Sequence, residues 1–301
     1  MATVNKRIFL PQAVVANGVS FGGTTSVRIE AGWENQIRTS PDGLALPVVD
    51  RDVQYVRGSF TTGNWALMDA ALTGTLGSLV FYERKSGTAA ATGYIKHTLT
   101  SPVIYRVSLA VSQGQLAALT AAFECRFASD DATIQDVWVI TDSQAAPVQI
   151  NAEYGGWRVT ECSHGQTSIM HVTGLSFDLA MPLLRACNDG DIGYTAVDAV
   201  FGGGMTAAGS LTFEDASITD NQLLVNRLLT AAAADLTVQL RQSGGDPDKL
   251  LTIANVIFTG GTQSGGGVRY SGFTLPFAVT NDLTAPLTLT GDNKIIAITD
   301  A

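Results

Sequence analysis

The stretch VRGSFTTGNWALMDAALTG, residues 56–74, changes its pattern of polar and apolar residues in the middle. Its first part alternates polar and apolar residues, which is typical of a half-buried strand. After the polar residues 61–64 the pattern has a helical spacing, with one apolar face formed by Trp65, Met68 and Leu72. The stretch therefore predicts a strand that leads into a short core helix.

A similar stretch, AGSLTFEDASITDNQLLVNRLL, begins at Ala208. GSFT at Gly58 matches GSLT at Gly209 with an offset of 151 positions. Further matches join SG at 86 to SG at 243, and the pair Phe123 and Phe127 to the pair Phe273 and Phe277 at an offset of 150. Because these matches keep their order, we predict an internal duplication. The second helix should be capped by Asp220 and present an apolar stripe of Leu224, Val225 and Leu228.

Both units show the same order of elements, and alternating strands dominate each of them. We predict a mainly β chain with two tandem β-sandwich domains, each carrying one short flanking α-helix. The predicted divisions are an N-terminal arm (1–20), a first domain (21–130), a linker (131–155), a second domain (156–284) and a C-terminal hairpin or arm (285–301).

The composition limits the classes of function. The chain has 301 residues and a net charge of −9, and its longest basic run is two residues, which argues against a nucleic-acid-reading module. Three cysteines without a close pair argue against a disulfide framework and favour a reducing compartment. No run of 18 apolar residues is present, so we expect no membrane-spanning helix.

The sequence contains no P-loop and no nucleophile elbow, and its glycine-rich run 260–267 lies between predicted strands rather than before a helix. Cys162, His164 and His171 lack a fourth ligand at a usual zinc spacing. Ser163 and His164 would need a distant aspartate to form a hydrolase site. The run NDGD at 188–191 lacks the terminal glutamate of a calcium loop. We therefore predict no catalytic residue, no cofactor and no metal.

The order of elements resembles that of the tail tube proteins of long-tailed bacteriophages. It comprises a strand, a long loop, a GSFT strand, a short helix, a strand ending in SG, and a hairpin ending in AAFECRF. The resemblance covers about residues 22–128, and residues 167–280 less closely. It implies sandwich domains whose sheets join into a barrel around a lumen, in rings that stack. A chain with two domains would form a pseudo-hexameric ring of three chains.

The resemblance further implies a structural virion protein of the tail, assembled in the cytoplasm of the host bacterium. Its partners would be itself, other tail proteins such as tape measure and terminator, and double-stranded DNA that passes without specific binding; no membrane is involved. A negative charge facing the lumen would repel the phosphates. For contacts between rings we expect the first long loop, with Arg38, Pro41, Asp42, Leu44 and Leu46.

Two other classes stay open. The chain could be another virion or secretion-apparatus component, such as an adaptor or decoration protein, which would stop at one ring instead of polymerising. It could also be an enzyme or a sugar-binding β-sandwich that uses aromatic side chains such as Trp33, Trp138 and Trp157.

Overall fold

The computed structural model describes residues 9–16, 19–21, 24–38, 48–63, 77–85, 93–113, 115, 118–129, 131–145, 157–187, 191–200, 204–214, 218–219, 222–242, 248–264, 272–281, 287–288 and 294–300. In its first half the elements are β1 Phe9–Ala16, β2 Val19–Phe21, β3 Thr24–Arg38, β4 Val48–Thr62, β5 Ser78–Lys85, β6 Tyr94–Thr100, β7 Pro102–Ser112, β8 Ala118–Cys125, α1 Ile134–Val137 and β9 Trp138–Gln144.

In the second half they are β10 Trp157–His164, β11 Thr167–Ser168, β12 Val172–Ala180, β13 Leu183–Ala186, β14 Ala196–Ala199, β15 Thr206–Phe213, β16 Ile218–Thr219, β17 Gln222–Leu223, α2 Leu224–Thr230, β18 Ala234–Gln242, β19 Lys249–Phe258, β20 Thr262–Ser264, β21 Gly272–Val279 and β22 Ile296–Asp300. The described chain is thus mainly β, as the sequence predicts.

Most of these strands belong to two antiparallel sheets. A five-stranded sheet has the order β2-β1-β5-β6-β9. A 13-stranded sheet has the order β11-β10-β18-β19-β21-β15-β12-β7-β8-β4-β3, with β20 beside β21 and β22 beside β19. The large sheet therefore runs through both halves of the chain, and β7 and β12 are the strands that join them.

The two halves share one pairing pattern. In the first half Val14 lies opposite Phe81, and in the second Cys162 lies opposite Val238. Even the irregularities recur, because a bulge skips residue 12 in β1 and residue 160 in β10, which are 148 positions apart (160 minus 12). We call residues 9–144 the first repeat and residues 157–300 the second repeat. Each strand of the first repeat has a counterpart in the second repeat. The single strands match as β1/β10, β2/β11, β3/β12, β4/β15, β5/β18, β8/β21 and β9/β22, and β6 together with β7 matches β19 together with β20.

The same strand bends at the same place in each repeat. Ser101, between β6 and β7, has φ 46°, and Asn255, within β19, has φ 48°. The carbonyl of Ser101 accepts a bond from the Arg126 amide at 3.1 Å, and that of Asn255 from the Thr280 amide at 2.9 Å. Left-handed backbone is uncommon for residues other than glycine, and a bend of this kind can redirect a strand. In the first repeat this bend takes the strand from the five-stranded sheet, which contains β6, to the large sheet, which contains β7.

Aromatic side chains fill the core between the layers. In the first repeat Phe81 of the five-stranded sheet packs on Phe60 and Phe123 of the large sheet, with ring centroids 5.7 and 6.1 Å apart. In the second repeat the ring of Phe277 packs on Phe177 and Phe258. These rings are almost completely buried, and burial of such large apolar surfaces is the main force that holds the layers together.

The segments predicted as arm, linker and C-terminal hairpin or arm each contain residues that pair with strands of the repeats. β1 and β2 lie within or at the edge of the predicted arm (1–20) and pair with β5 and with each other. The predicted linker (131–155) contains α1 and β9, and β9 pairs with β6. β22 pairs with β19, so the C-terminal strand extends the second repeat, and the Ile295 amide also donates to the Thr288 carbonyl at 2.9 Å.

Two further details differ from the sequence analysis. Phe277, not Phe273, is the counterpart of Phe123, because Phe123 lies opposite Gly58 and Phe277 lies opposite Gly209; the offset is 154 (277 minus 123), not 150. The second helix begins at Leu224 with Leu223 as its N-cap, whereas Asp220 lies outside the described residues.

Candidate functional site

The junction between β7 and β12 is the feature of the fold that joins one repeat to the other. Seven residue pairs lie opposite each other, from Gly174 and Ser112 to Ala180 and Arg106. The pairing continues beyond the strands, since the Gln113 amide donates to the Thr173 carbonyl and the Met181 amide to the Tyr105 carbonyl, both at 2.8 Å. One face of the junction is buried and consists of the pairs Val111/Leu175, Leu109/Phe177 and Val107/Leu179.

The opposite face of the junction is polar and carries one ion pair. Arg106 Nε donates to Asp178 Oδ1 at 2.9 Å, and the Ser108 hydroxyl donates to the same oxygen. The hydrogen bond to Asp178 raises the pKa of Arg106 above its usual value. Because this pair is half exposed, we assign it at most about 1 kcal/mol and infer that it fixes register more than it stabilises the chain.

A second contact between the repeats is made by the connection between β12 and β15. Its hairpin, β13 and β14, brings Arg185 onto Glu124 of β8, and both guanidinium–carboxylate bonds measure 2.6 Å. Glu124 is 1% exposed, and this bidentate contact raises the pKa of Arg185. A buried carboxylate needs such a partner, because an unpaired charge in the protein interior is strongly unfavourable.

The same connection also docks through Tyr194. Its hydroxyl donates to Glu34 Oε2 at 2.6 Å, and burial raises the pKa of Tyr194 above its usual value. Backbone bonds of 2.9 Å from the Phe127 amide to the Tyr194 carbonyl and of 2.8 Å from the Gln54 amide to the Ile192 carbonyl complete the contact. The second repeat therefore covers the end of the first repeat with backbone, aromatic and charged contacts together.

The face of the large sheet that points away from the core carries mainly small polar side chains. Hydroxyl pairs join neighbouring strands at Thr61/Thr120 (2.9 Å), Ser176/Ser210 (2.8 Å) and Thr212/Thr274 (3.3 Å). Beside the junction, described charges on this face form ion pairs, as in Arg106 with Asp178 at 2.9 Å and Arg57 with Glu30 at 3.0 Å. At the junction this face forms a shallow groove of about 330 Å³. Sequence analysis did not find this surface, although its alternating Ser, Thr and Ala residues are visible in β7, β12 and β15.

The cluster of Cys162, His164 and His171 is not brought together. Cys162 and His164 are buried; His164 Nε2 bonds to the Val256 carbonyl at 2.8 Å and its ring packs against Phe258. His171 is exposed in a turn with φ 53°. Among the described residues no group of three or more histidine, cysteine or acidic side chains could hold a metal ion.

The other candidate sites do not assemble where the structure describes them. Ser163 and His164 point to opposite faces of β10, and the Ser163 hydroxyl bonds to Thr237 at 2.6 Å. In the run NDGD at 188–191 only Asp191 is described, and its carboxylate accepts a bond from the Thr195 hydroxyl. The indole of Trp138 donates to His97 Nδ1 at 3.1 Å, Trp33 is half buried, and the side chain of Trp157 lies outside the described part.

The residues predicted for the core helices and for the ring contact are only partly described. Leu224 and Leu228 are buried on α2. Trp65, Met68 and Leu72 lie outside the described residues, as do Pro41, Asp42, Leu44 and Leu46. Arg38 is the last residue of β3 and lies opposite Val48, so the long loop is shorter than expected and begins after a two-stranded extension.

The chain matches no model of a known protein family, and no curated protein matches it. In the described part of the chain, no helix has the length and apolar character needed to cross a membrane.

The environments of the three cysteines predict different reactivities. Burial raises the pKa of Cys162 to about 12 and raises that of Cys125 as well, so both remain protonated thiols at pH 8, whereas Cys187 is exposed. Because the thiolate is the reactive form, we expect Ellman's reagent to titrate one thiol rapidly in the native chain and three in urea. Cys187→Ser should remove the rapid reaction. Two or more rapid thiols in the native chain would contradict the burial described here.

Proposed function

We propose that the chain is a structural virion protein that forms a tail tube, with two tandem β-sandwich domains that correspond to the two repeats. The observation that carries this proposal is the junction of β7 with β12, where two equivalent repeats join edge to edge in one sheet. A further copy added in the same way would prolong the sheet, and a closed arrangement would leave no exposed strand edge. The order of elements that resembles tail tube proteins supports the same function.

A ring of three chains follows from the resemblance and from the duplication. Rings of that family contain six domains, and two repeats in one chain reduce the number of chains to three. The contacts in this ring are heterologous, because a different edge of each chain meets its neighbour. Such head-to-tail contacts form a closed ring only when the rotation from one chain to the next brings the last chain back to the first.

The outward sheet face is suited to line the lumen. Beside the junction, its described side chains are small hydroxyl-bearing residues and charges in ion pairs, and non-specific DNA affinity comes mainly from free cations. In this proposal DNA passes because the described charges beside the junction are already paired with one another and do not hold phosphate.

The hairpin of β3 and β4 is suited to contact the next ring. Each of its strands has 15 residues, whereas the matching strands β12 and β15 have nine and eight. At about 3.3 Å per residue, six extra residues add about 20 Å of reach. We place the ring-to-ring contact at the end of this extension, near Arg38, with tape measure and terminator proteins as further partners in the tail.

Negative-stain electron microscopy of the purified chain over a range of concentrations tests the proposed function. We expect rings with a central hole at low concentration and stacked tubes at high concentration. Rings that never stack would favour an adaptor component instead. A monodisperse monomer at every concentration would overturn both assignments.

A further inference from the structure

The outer edges of the two repeats have the same strands as the junction inside the chain. In the described residues β3 pairs only with β4, and it is the counterpart of β12. At the other end β20 pairs only with β21, and it is the counterpart of the outer half of β7. Within the described residues, one edge of each kind that meets at the internal junction therefore has no second strand beside it.

We propose that β3 of one chain pairs antiparallel with β20 of a second copy, in the register of the internal junction. A residue of β12 is converted to its counterpart in β3 by subtracting 148, so position 178 becomes position 30. A residue of β7 is converted to its counterpart in β20 by adding 154, so position 108 becomes position 262. Residues Asp178 and Ser108 lie opposite each other inside the chain, so Glu30 lies opposite Thr262 between chains. This inference rests on the proposed function, and it specifies the surface through which the ring closes.

The chemistry of the two edges agrees with this register. Inside the chain the Ser108 hydroxyl donates to the Asp178 carboxylate. Between chains the hydroxyl of Thr262 stands opposite the carboxylate of Glu30, so a hydroxyl donor again meets a carboxylate acceptor. Arg57 of β4, in the same chain, donates to that carboxylate at 3.0 Å, whereas Asp178 accepts its bond across the junction from Arg106 of β7, whose counterpart position is Gly260.

The buried face of the contact between chains is weaker than that of the internal junction. The pair Leu109 and Phe177 of the internal junction corresponds to the pair Gln263 and Ile29 between chains. The pair Val107 and Leu179 corresponds to the pair Gly261 and Ala31. Less apolar surface is therefore buried between copies than within one copy. The consequence is an order of events, in which the two repeats of a chain dock first and the chains associate afterwards.

Disulfide cross-linking tests the register directly. Arg28, whose side chain is 78% exposed, lies opposite Ser264 in this register, so we expect R28C/S264C in a C187S background to form covalent dimers and trimers on a non-reducing gel. S176C/A110C is the matched control, because these residues lie opposite each other inside the chain and should link within it. R28C/G260C, four residues out of register, should not link.

The outcomes separate this inference from the proposed function. Covalent multimers support the register, even if the rings do not stack into tubes. Rings or tubes in which the internal control links but R28C/S264C does not would overturn the register and leave the proposed function standing. If the internal control links and no assembly forms, both the register and the proposed function are overturned.

As a second measurement, Q263L should lower the protein concentration needed for rings about tenfold, because it introduces the leucine that stands at the matching position 109. An unchanged or higher concentration would count against the contact.

Discussion

Replacing Gly209 by alanine should lower the free energy of unfolding by about 3 kcal/mol, because β15 has no room for a side chain at this position. A Cβ atom would lie 2.1 Å from the carbonyl oxygen of Ser176 on the neighbouring strand and 2.5 Å from the ring of Phe277. Backbone cannot yield as a flexible side chain does, so the strands must separate or the ring must leave its place in the core. Urea denaturation followed by circular dichroism measures the change.

Gly58 gives an independent repeat of this experiment. Its Cβ would lie 2.2 Å from the Arg28 carbonyl oxygen and 2.8 Å from the ring of Phe123, so Gly58→Ala should cost a similar amount. Gly174→Ala is the control: it also lies in a strand, but its nearest neighbour, the Val111 carbonyl oxygen, is at an ordinary 3.6 Å, and we expect a change within about 0.5 kcal/mol. If Gly209→Ala were as stable as the wild type, the close approach of Gly209 to the Ser176 carbonyl and to the ring of Phe277 would be wrong.

Arg185→Met should destabilise the chain by about 3 kcal/mol, since it leaves the carboxylate of Glu124 buried without its cation. Both guanidinium bonds to this carboxylate measure 2.6 Å. Because Arg185 is partly open to water, we place the effect at the lower end of the range for broken buried pairs. Calorimetric unfolding would also show whether the first repeat loses its cooperativity with the second.

Two variants make the Arg185 experiment specific. Arg241→Met removes an exposed arginine that bonds to Asp248 at 3.2 Å within the second repeat, and it should change the stability by less than about 1 kcal/mol. E124Q/R185M removes both charges and should regain part of the lost stability, because no uncompensated charge stays buried. If Arg185→Met and Arg241→Met had equal effects, the pair of Arg185 with Glu124 would not hold the repeats together.

The duplication could be predicted from the sequence because its strongest match has a structural reason. Gly58 and Gly209 are the positions where a side chain cannot fit, so both copies keep GSxT there. The register of the last hairpin could not be predicted. Phe123 and Phe127 are four residues apart, as are Phe273 and Phe277, and a slip of four residues in a strand matches phenylalanine with phenylalanine on the same face.

Two strands outside the predicted domains, β1 and β9, lack the pattern that identifies a strand. Pro11 interrupts β1 and reads as a break, but it lies next to the bulge at residue 12, where a sheet tolerates proline. β9 is exposed along most of its length, so it shows no alternation of apolar and polar residues. The polar sheet face was missed for a different reason, because composition gives the net charge and not the face on which the charges lie.

The mass of the smallest closed assembly gives the number of chains in a ring. Native mass spectrometry of rings, released from tubes or isolated at low protein concentration, should give about 95 kDa, which is three times the chain mass of 31.6 kDa. Three chains supply six repeats joined by three internal junctions and three contacts of β3 with β20. A closed ring of six chains, near 190 kDa by the same arithmetic, or a species that stays at the mass of one chain, would contradict the account.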